Sequence, residues 1–447
     1  MHRLMIAGTG SGSGKTTVTC GLLHCLRQQG VRVAAFKCGP DYIDPMFHSQ
    51  VLGQPCHNLD LFFTDEPTTC HLLHRHGSAA DVALIEGVMG YYDGMGGTTP
   101  RAGSYDLSRA TRTPVVLVVG CRGLSLSVCA VIQGFMRFRE DSRIVGVILN
   151  QLSPMLYPGL RREIEQSCGV RVLGYFPPMP DCRLESRHLG LVTAAEVEDL
   201  REIVERLGRQ AQQTVDWKGL LELAAQAEPL PSHQEPEWEP QTPVRIGVAR
   251  DKAFCFYYED NLDLLRRMGA QLVEFSPLED AHLPAVDGLL LGGGYPELYL
   301  ERLSGNESLR REIREALQAG MPCVAECGGF MYLHEHIEGW PMVGALPGGC
   351  HNRHKLQRFG YVTLTAEQDT LLCGRGESMP AHEFHYFDSD SEGAACTARK
   401  PVGSRSWSCV TGGKRLFAGF PHLYWYGCPQ VAARFIKECE VYHHEHL

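Results

Sequence analysis

Ten residues near the N-terminus limit the folds open to this chain more than any other stretch. A short apolar run, Leu4–Ala7, leads into Gly8-Thr9-Gly10-Ser11-Gly12-Ser13-Gly14-Lys15-Thr16-Thr17, and an amphipathic segment, Thr17–Gln29, follows at once. Four glycines within seven residues, set between strand and helix, let backbone N–H groups converge on phosphate oxygens at a helix N-terminus. Gly10, Gly12, Gly14 and Thr17 belong to that cradle. Lys15 would reach the β- and γ-phosphates of ATP, and the Thr16 hydroxyl would ligate Mg²⁺. The spacing departs from the strict pattern G-x-x-x-x-G-K-[ST], because Thr9 stands where the first glycine would. Gly8 lies one residue further out and leaves a gap of five.

The rest of the first half repeats this strand-then-helix rhythm. Apolar runs at Val31–Phe36, Val82–Glu86, Val115–Val119, Ile144–Leu149 and Val172–Phe176 alternate with amphipathic segments, which predicts a mostly parallel sheet covered on both faces. A long helical stretch is expected from about Ala194 to Ala227. Residues 228–243 then turn rich in Pro and Glu and read as an extended linker. A strand at Val244–Ala249 opens a second α/β half, with a helix at Asn261–Met268 and strands at Leu272–Phe275 and Gly288–Leu291. With 447 residues, the chain is too long for one core. The expected domains are 1–227 and 244–447.

In the second half, Pro322-Cys323-Val324-Ala325-Glu326-Cys327-Gly328-Gly329 reads as a buried strand ending in a sharp turn with a cysteine at its apex. Such an elbow presents a thiolate nucleophile, and the next N–H, on Gly328, helps hold an oxyanion. Gly293 and Gly294, in a glycine turn after the Gly288–Leu291 strand, are candidates for the second donor. The general base should be a distant histidine. A phosphate loop and an elbow cysteine on one polypeptide point to a glutamine-fed, ATP-driven amide-forming enzyme.

Acidic groups follow two of the strands in the first half. Lys37-Cys38-Gly39-Pro40-Asp41-Tyr42-Ile43-Asp44-Pro45 comes after the second, and Glu86-Gly87-Val88-Met89-Gly90 after the third. Ligands bind at the carboxyl ends of parallel strands in open sheets. Asp41 and Glu86 there, with Thr16, suit a hard cation bridging ATP oxygens, Asp41 and Asp44 are candidate catalytic carboxylates, and Lys37 suits charge neutralisation during phosphoryl transfer. Asp41 and Asp44 equally suit turn capping beside the prolines, and both readings stay open.

Composition excludes several other classes. A net charge of −10 with no dense Lys/Arg tract argues against a nucleic-acid surface. No apolar run reaches the length of a membrane span, and Met1–Ala7 leaves no room for a signal peptide before the loop, so a cytoplasmic protein is expected. The eighteen cysteines show no Cys-x-x-Cys pairing, so neither a zinc ribbon nor a disulfide framework is indicated. A regulatory ATPase of the partitioning type would carry a signature lysine five residues before the loop lysine, where Gly10 stands.

The phosphate loop, the Lys37–Pro45 segment, Glu86-Gly87-Val88-Met89-Gly90 and Glu185-Ser186-Arg187-His188-Leu189-Gly190-Leu191 together resemble the cobyrinic acid a,c-diamide synthases, a family that includes hydrogenobyrinic acid and nickel-sirohydrochlorin a,c-diamide synthases. The resemblance runs over nearly the whole chain. It implies a dethiobiotin-synthetase-like P-loop domain followed by a class I glutamine amidotransferase-like α/β domain. It also implies Arg187 and Asn150 as nucleotide-site residues and His422, in Ala418-Gly419-Phe420-Pro421-His422-Leu423-Tyr424, as the base for Cys327. Class I amidotransferases often place a Glu two residues after that histidine; Tyr424 stands here, so the third member is missing or replaced, which fits a Cys-His dyad. The implied activity is ATP- and glutamine-dependent amidation of the a and c acetates of cobyrinic acid through an acyl phosphate and channelled ammonia. Nickel-sirohydrochlorin and cobyric acid synthase-like amidation are the alternatives. The implied partners are small molecules, and a homodimer stays open beside a monomer. Leu356-Gln357-Arg358-Phe359-Gly360-Tyr361 and His382-Glu383-Phe384-His385-Tyr386 match the family without an assigned role; packing is the plain alternative.

Overall fold

The computed structural model describes residues 1–182, 200–231, 233–235, 238 and 243–446. Two compact units divide the chain, Met1–Glu235 and Pro236–Leu447. Among the described residues, no helix is long and apolar enough to cross a membrane.

The first unit is built on seven parallel strands: β1 (Arg3–Gly8), β2 (Val33–Cys38), β3 (His57–Leu59), β4 (Val82–Glu86), β5 (Val115–Gly120), β6 (Ile144–Asn150) and β7 (Arg171–Phe176). Their order across the sheet is β3-β2-β4-β1-β5-β6-β7. Every residue of β1, β2 and β4 is buried, which is why these strands read as unbroken apolar runs. β1 lies between β4 and β5, so the chain reverses direction across the sheet there and leaves a crevice at the carboxyl edge. The phosphate loop, Lys37, Glu86 and Asn150 all end strands on that edge.

Helix α1 (Lys15–Gln28) begins two residues earlier than its apolar periodicity suggests. Helix α2 (Ile43–Leu52) stands where the sequence suggested only a Gly-Pro-Asp turn. The long helical stretch expected to end near Ala227 is, over the described residues, two helices, Leu200–Thr214 and Trp217–Ala225. The break has a cause: the Asp216 carboxylate accepts the Gly219 N–H and caps the second helix, while Val215 bridges to Gly174.

The second unit holds a six-stranded sheet in the order Gln271–Phe275, Arg245–Ala249, Gly288–Leu291, Cys323–Glu326, Leu416–Gly419 and Thr411–Gly413. The first five strands are parallel and the last is antiparallel. Against expectation from sequence, it also carries a five-stranded antiparallel sheet: Ser406–Cys409, Cys396–Arg399, Arg358–Ala366, Ser378–His385 and His422–Leu423. In Ser378–His385 the buried positions are Met379, Ala381, Glu383 and His385. Two polar residues on the inward face hide the alternation that marks a strand.

Candidate functional site

The phosphate loop is locked from beneath. Gly14 sits at φ +90°, and a β-carbon there would lie 2.0 Å from Asn150 Nδ2, so no residue with a side chain fits. Asn150 Nδ2 donates to Ser13 O at 2.9 Å, so this residue holds the loop itself. Lys15 Nζ folds back over the loop, donating to Met89 O at 2.6 Å and Gly10 O at 3.2 Å.

Beside it, the ends of β2 and β4 and the start of α2 converge. Thr16 Oγ1 donates to Glu86 Oε1 at 2.8 Å and lies 3.2 Å from Asp44 Oδ1. Lys37 Nζ hydrogen-bonds Asp44, and it contacts Glu86 Oε1 at 3.0 Å and Gly87 O at 3.2 Å. His48 Nε2 meets Glu86 Oε2 at 2.6 Å, and its Nδ1 faces Cys20 Sγ at 3.7 Å. Asp41 is less central. Its Oδ1 accepts the Ile43 N–H at 3.0 Å, as a turn residue does, while its Oδ2 lies 3.8 Å from Lys37. The acids against Thr16 are thus Asp44 and Glu86, in place of the expected Asp41 and Glu86.

Burial concentrates charge in this cluster. Against the effect of burial, Asp44, Glu86 and Asp41 hold the Lys37 ammonium well above the usual lysine range. Glu86, also against burial, is held well below the carboxylate range by Lys37 and His48. Asp44 is the acid that gives way: burial pushes it up to about 8 despite Lys37, with Glu86 and Asp41 adding to the rise. Burial and the neighbouring Lys37 pull Lys15 down to about 8. Three carboxylates around one ammonium, with a hydroxyl among them, form a hard oxygen donor set. Thr16, Asp44 and Glu86 fit Mg²⁺.

In the second unit the strand Cys323–Glu326 runs into the helix Gly328–Leu333, and Cys327 makes the turn at φ 48°, ψ −103°. A cysteine held in that region is backbone strain of the kind found at nucleophile elbows. Its neighbour Leu416–Gly419 is parallel, with Glu326 beside Gly419, and His422 follows three residues later. The Cys327 side chain hydrogen-bonds His422, and Glu326 Oε2 lies 3.6 Å from His422 Nδ1. Although burial opposes charge, Cys327 and Glu326 raise His422 to about 10. A β-carbon on Gly293 would lie 2.6 Å from His422 Cε1, so the glycine turn closes directly on the imidazole. One on Gly328 would lie 3.1 Å from Gly294 N, which puts Gly294 beside the elbow with Gly328.

Most of the sequence-predicted residues therefore meet in one of two clusters. Gly10, Gly14, Lys15, Thr16, Lys37, Asp44, Glu86 and Asn150 meet in the first unit; Cys327, His422, Gly293, Gly294 and Gly328 meet in the second. Gly12, at φ +75°, and Thr17 lie in the loop and the first turn of α1. Arg187 lies outside the described residues. Tyr424 turns away from the elbow, donating to Asp260 Oδ2 at 2.9 Å. Arg358 packs over Trp407 at 4.9 Å, Glu383 Oε1 accepts from Trp407 Nε1 at 3.4 Å, and His385 stacks on Phe420 at 3.9 Å. His382 pairs with His422 across adjacent strands.

Two residues escaped sequence reasoning. His48 is four after Asp44, one turn along the same helix face, and that spacing was readable. Glu326 is the one charged residue of an otherwise uncharged buried strand, which was also readable.

Residues 4–192 match the CobQ/CobB/MinD/ParA nucleotide binding domain, and residues 245–427 match the CobB/CobQ-like glutamine amidotransferase domain. The chain is 40% identical to the cobyrinate a,c-diamide synthase of Caldanaerobacter subterraneus subsp. tengcongensis, over 97% of this chain and 98% of that protein. It is 38% identical to the enzyme of the same name from Dehalococcoides mccartyi, over 97% of each chain. With that from Priestia megaterium it shares 37% identity over 98% of this chain and 97% of the other.

Proposed function

The chain belongs to the cobyrinate a,c-diamide synthase family, and from that membership we propose a division of labour between its two units. As a glutamine-dependent ligase it needs a source of ammonia and an activated acceptor. The second unit hydrolyses glutamine. The first uses ATP to convert an acetate carboxylate of cobyrinate to an acyl phosphate, which ammonia then attacks to give the amide. Both the a and c acetates are amidated, and ammonia passes between the sites without release.

The observation that carries this reading is the elbow: Cys327 at positive φ, with its thiol on His422. The Cys327 thiol gives its proton to the imidazole, and the sulfur attacks the glutamine amide carbon. The imidazolium returns that proton to the leaving nitrogen as the C–N bond breaks, releasing ammonia, and water clears the thioester as glutamate. Gly328 N–H and a donor from Gly293 or Gly294 face the oxyanion.

In the first unit the loop amides and Lys15 bind the phosphates of ATP. Lys15 must leave Met89 O and Gly10 O to do so. Thr16, Asp44 and Glu86 are the residues that would hold Mg²⁺, which when bound neutralises phosphate charge. Lys37 stands ready to balance charge on the transferred group, and Asn150 keeps the loop in shape.

The experiment is product analysis with cobyrinate, ATP and either glutamine or ammonium chloride. The reading expects diamide from both nitrogen sources, and ATP hydrolysis in step with amide formation. ATP-independent amide formation would overturn the acyl phosphate, and ¹⁵N-glutamine label freely diluted by unlabelled ammonia would overturn channelling.

A further inference from the structure

We propose that Glu326 is a positioning residue of the glutamine-hydrolysing site: its carboxylate orients His422 through Nδ1, leaving Nε2 for the Cys327 thiol. The inference rests on the reading of Cys327 and His422 given above, and it replaces the dyad suggested by Tyr424 with a carboxylate from an unexpected place in the chain.

Three observations carry it. The first is topological. Strands Cys323–Glu326 and Leu416–Gly419 are parallel neighbours with Glu326 beside Gly419. One strand ends in the nucleophile and the other leads into the base, so the last side chain before the elbow borders the approach to His422.

The second is chemical. Along Cys323–Glu326, Cys323 and Ala325 enter the apolar core together with Cys327, and Val324 and Glu326 point to the opposite face. A carboxylate buried there costs free energy unless something pairs with it. Glu326 Oε1 accepts the Leu423 N–H at a long 3.3 Å, and Oε2 lies 3.6 Å from His422 Nδ1. Among the described residues no Lys or Arg pairs with Glu326. The group able to become its counter-ion is the imidazole, which is what an orienting carboxylate requires. Separations slightly beyond hydrogen-bond length are common in catalytic sites before substrate binds.

The third is exclusion of competitors. Tyr424, at the position two after the histidine, is bonded to Asp260. His382, opposite His422 in the neighbouring strand, is pulled down to about 3 by burial, with His422 and Lys400 adding, so it stays neutral and supplies no counter-charge. Tyr257, which also feels the Glu326 charge, is raised by burial far beyond its ordinary range and remains a neutral phenol that donates to Ala249 O.

Glu326→Gln tests this, because an amide oxygen can still accept the Leu423 N–H but cannot stabilise an imidazolium. The expected result is a loss of glutamine hydrolysis on the order of 10²-fold or more, carried in kcat more than in KM. The alkaline limb of its pH profile should move to lower pH, since His422 would hold its proton less tightly. Glu326→Asp should recover part of the rate. In a His422→Ala background, Glu326→Gln should cost nothing further, as two groups acting as one unit do. Ammonia-driven synthesis reports whether each variant is folded. If Glu326→Gln hydrolyses glutamine like the parent with an unmoved pH profile, Glu326 serves only Leu423 and the inference is overturned. If Cys327→Ser itself retains glutamine hydrolysis, the failure lies instead with the glutaminase reading on which this one rests.

Discussion

At the carboxyl edge of the first sheet, one buried lysine is surrounded by Asp41, Asp44 and Glu86; at that of the second, one cysteine faces one histidine. The first cluster is held by charge. Its groups come from the loop after β1, the ends of β2 and β4 and the start of α2, and its excess of carboxylates is relieved only in part, by Lys37 and by the rise of Asp44. The second is held by the backbone. The strained turn at Cys327 fixes the backbone of the elbow, the glycine turn at Gly293 closes on the imidazole, and the thiol hydrogen-bonds that imidazole. On the proposed reading the first site must receive phosphate and cation, and it keeps charges for them to meet. On the same reading the second only cleaves an amide, and it can be assembled in advance.

Cys327→Ser breaks the comparison most sharply. Glutamine-dependent synthesis should fall at least about a thousandfold, with ammonia-driven synthesis retained, as measured by amide product with each nitrogen source. Lys15→Ala should do the converse, lowering synthesis from both nitrogen sources by roughly a hundredfold or more while glutamine hydrolysis persists. Near-normal turnover of that variant at saturating ATP would remove Lys15 from the phosphate site.

Within the charged cluster, Asp44→Asn should damage ligase turnover more than Asp41→Ala, or leave monoamide to accumulate. Asp41→Ala should instead lose about 1 kcal/mol of stability, because the Ile43 N–H loses its acceptor. Melting temperatures read together with mono- to diamide ratios separate the two roles, and equal kinetics in both variants would contradict the placement of Asp44.

The proton pair gives a smaller, pH-dependent effect. His422 is raised from 6.5 to about 10, so its stabilising contribution is fully present below pH 6.5 and is lost as pH rises through about 10. Glutamine hydrolysis should accordingly hold on the alkaline side until near pH 10, and a decline centred near 6.5 would contradict the pairing. Tyr424→Phe should have the least effect on chemistry. It costs one hydrogen bond to a buried carboxylate, about 1–3 kcal/mol by denaturant titration, and leaves glutamine hydrolysis near that of the parent.

Local order is what the sequence determined. The parallel strands of the first unit show as apolar runs because both faces of the sheet are buried, and the glycine loop and the cysteine elbow show because their backbones admit few other residues. Lys15, Thr16, Cys327 and Gly328 were legible for that reason, with His422 added by family resemblance. Only the tertiary structure decided which acid meets Thr16. Asp41 and Asp44 share a loop and a chemistry, and the α2 start that sends one inward and leaves the other capping Ile43 has no local signature. It alone placed Glu326 against His422, because strands far apart in sequence become neighbours through sheet register. The antiparallel sheet of the second unit stayed hidden as well. Glu383 and His385 occupy inward positions there, tolerated because Trp407 and Phe420 pack against them, and no periodicity in the chain reports a partner contributed by another strand.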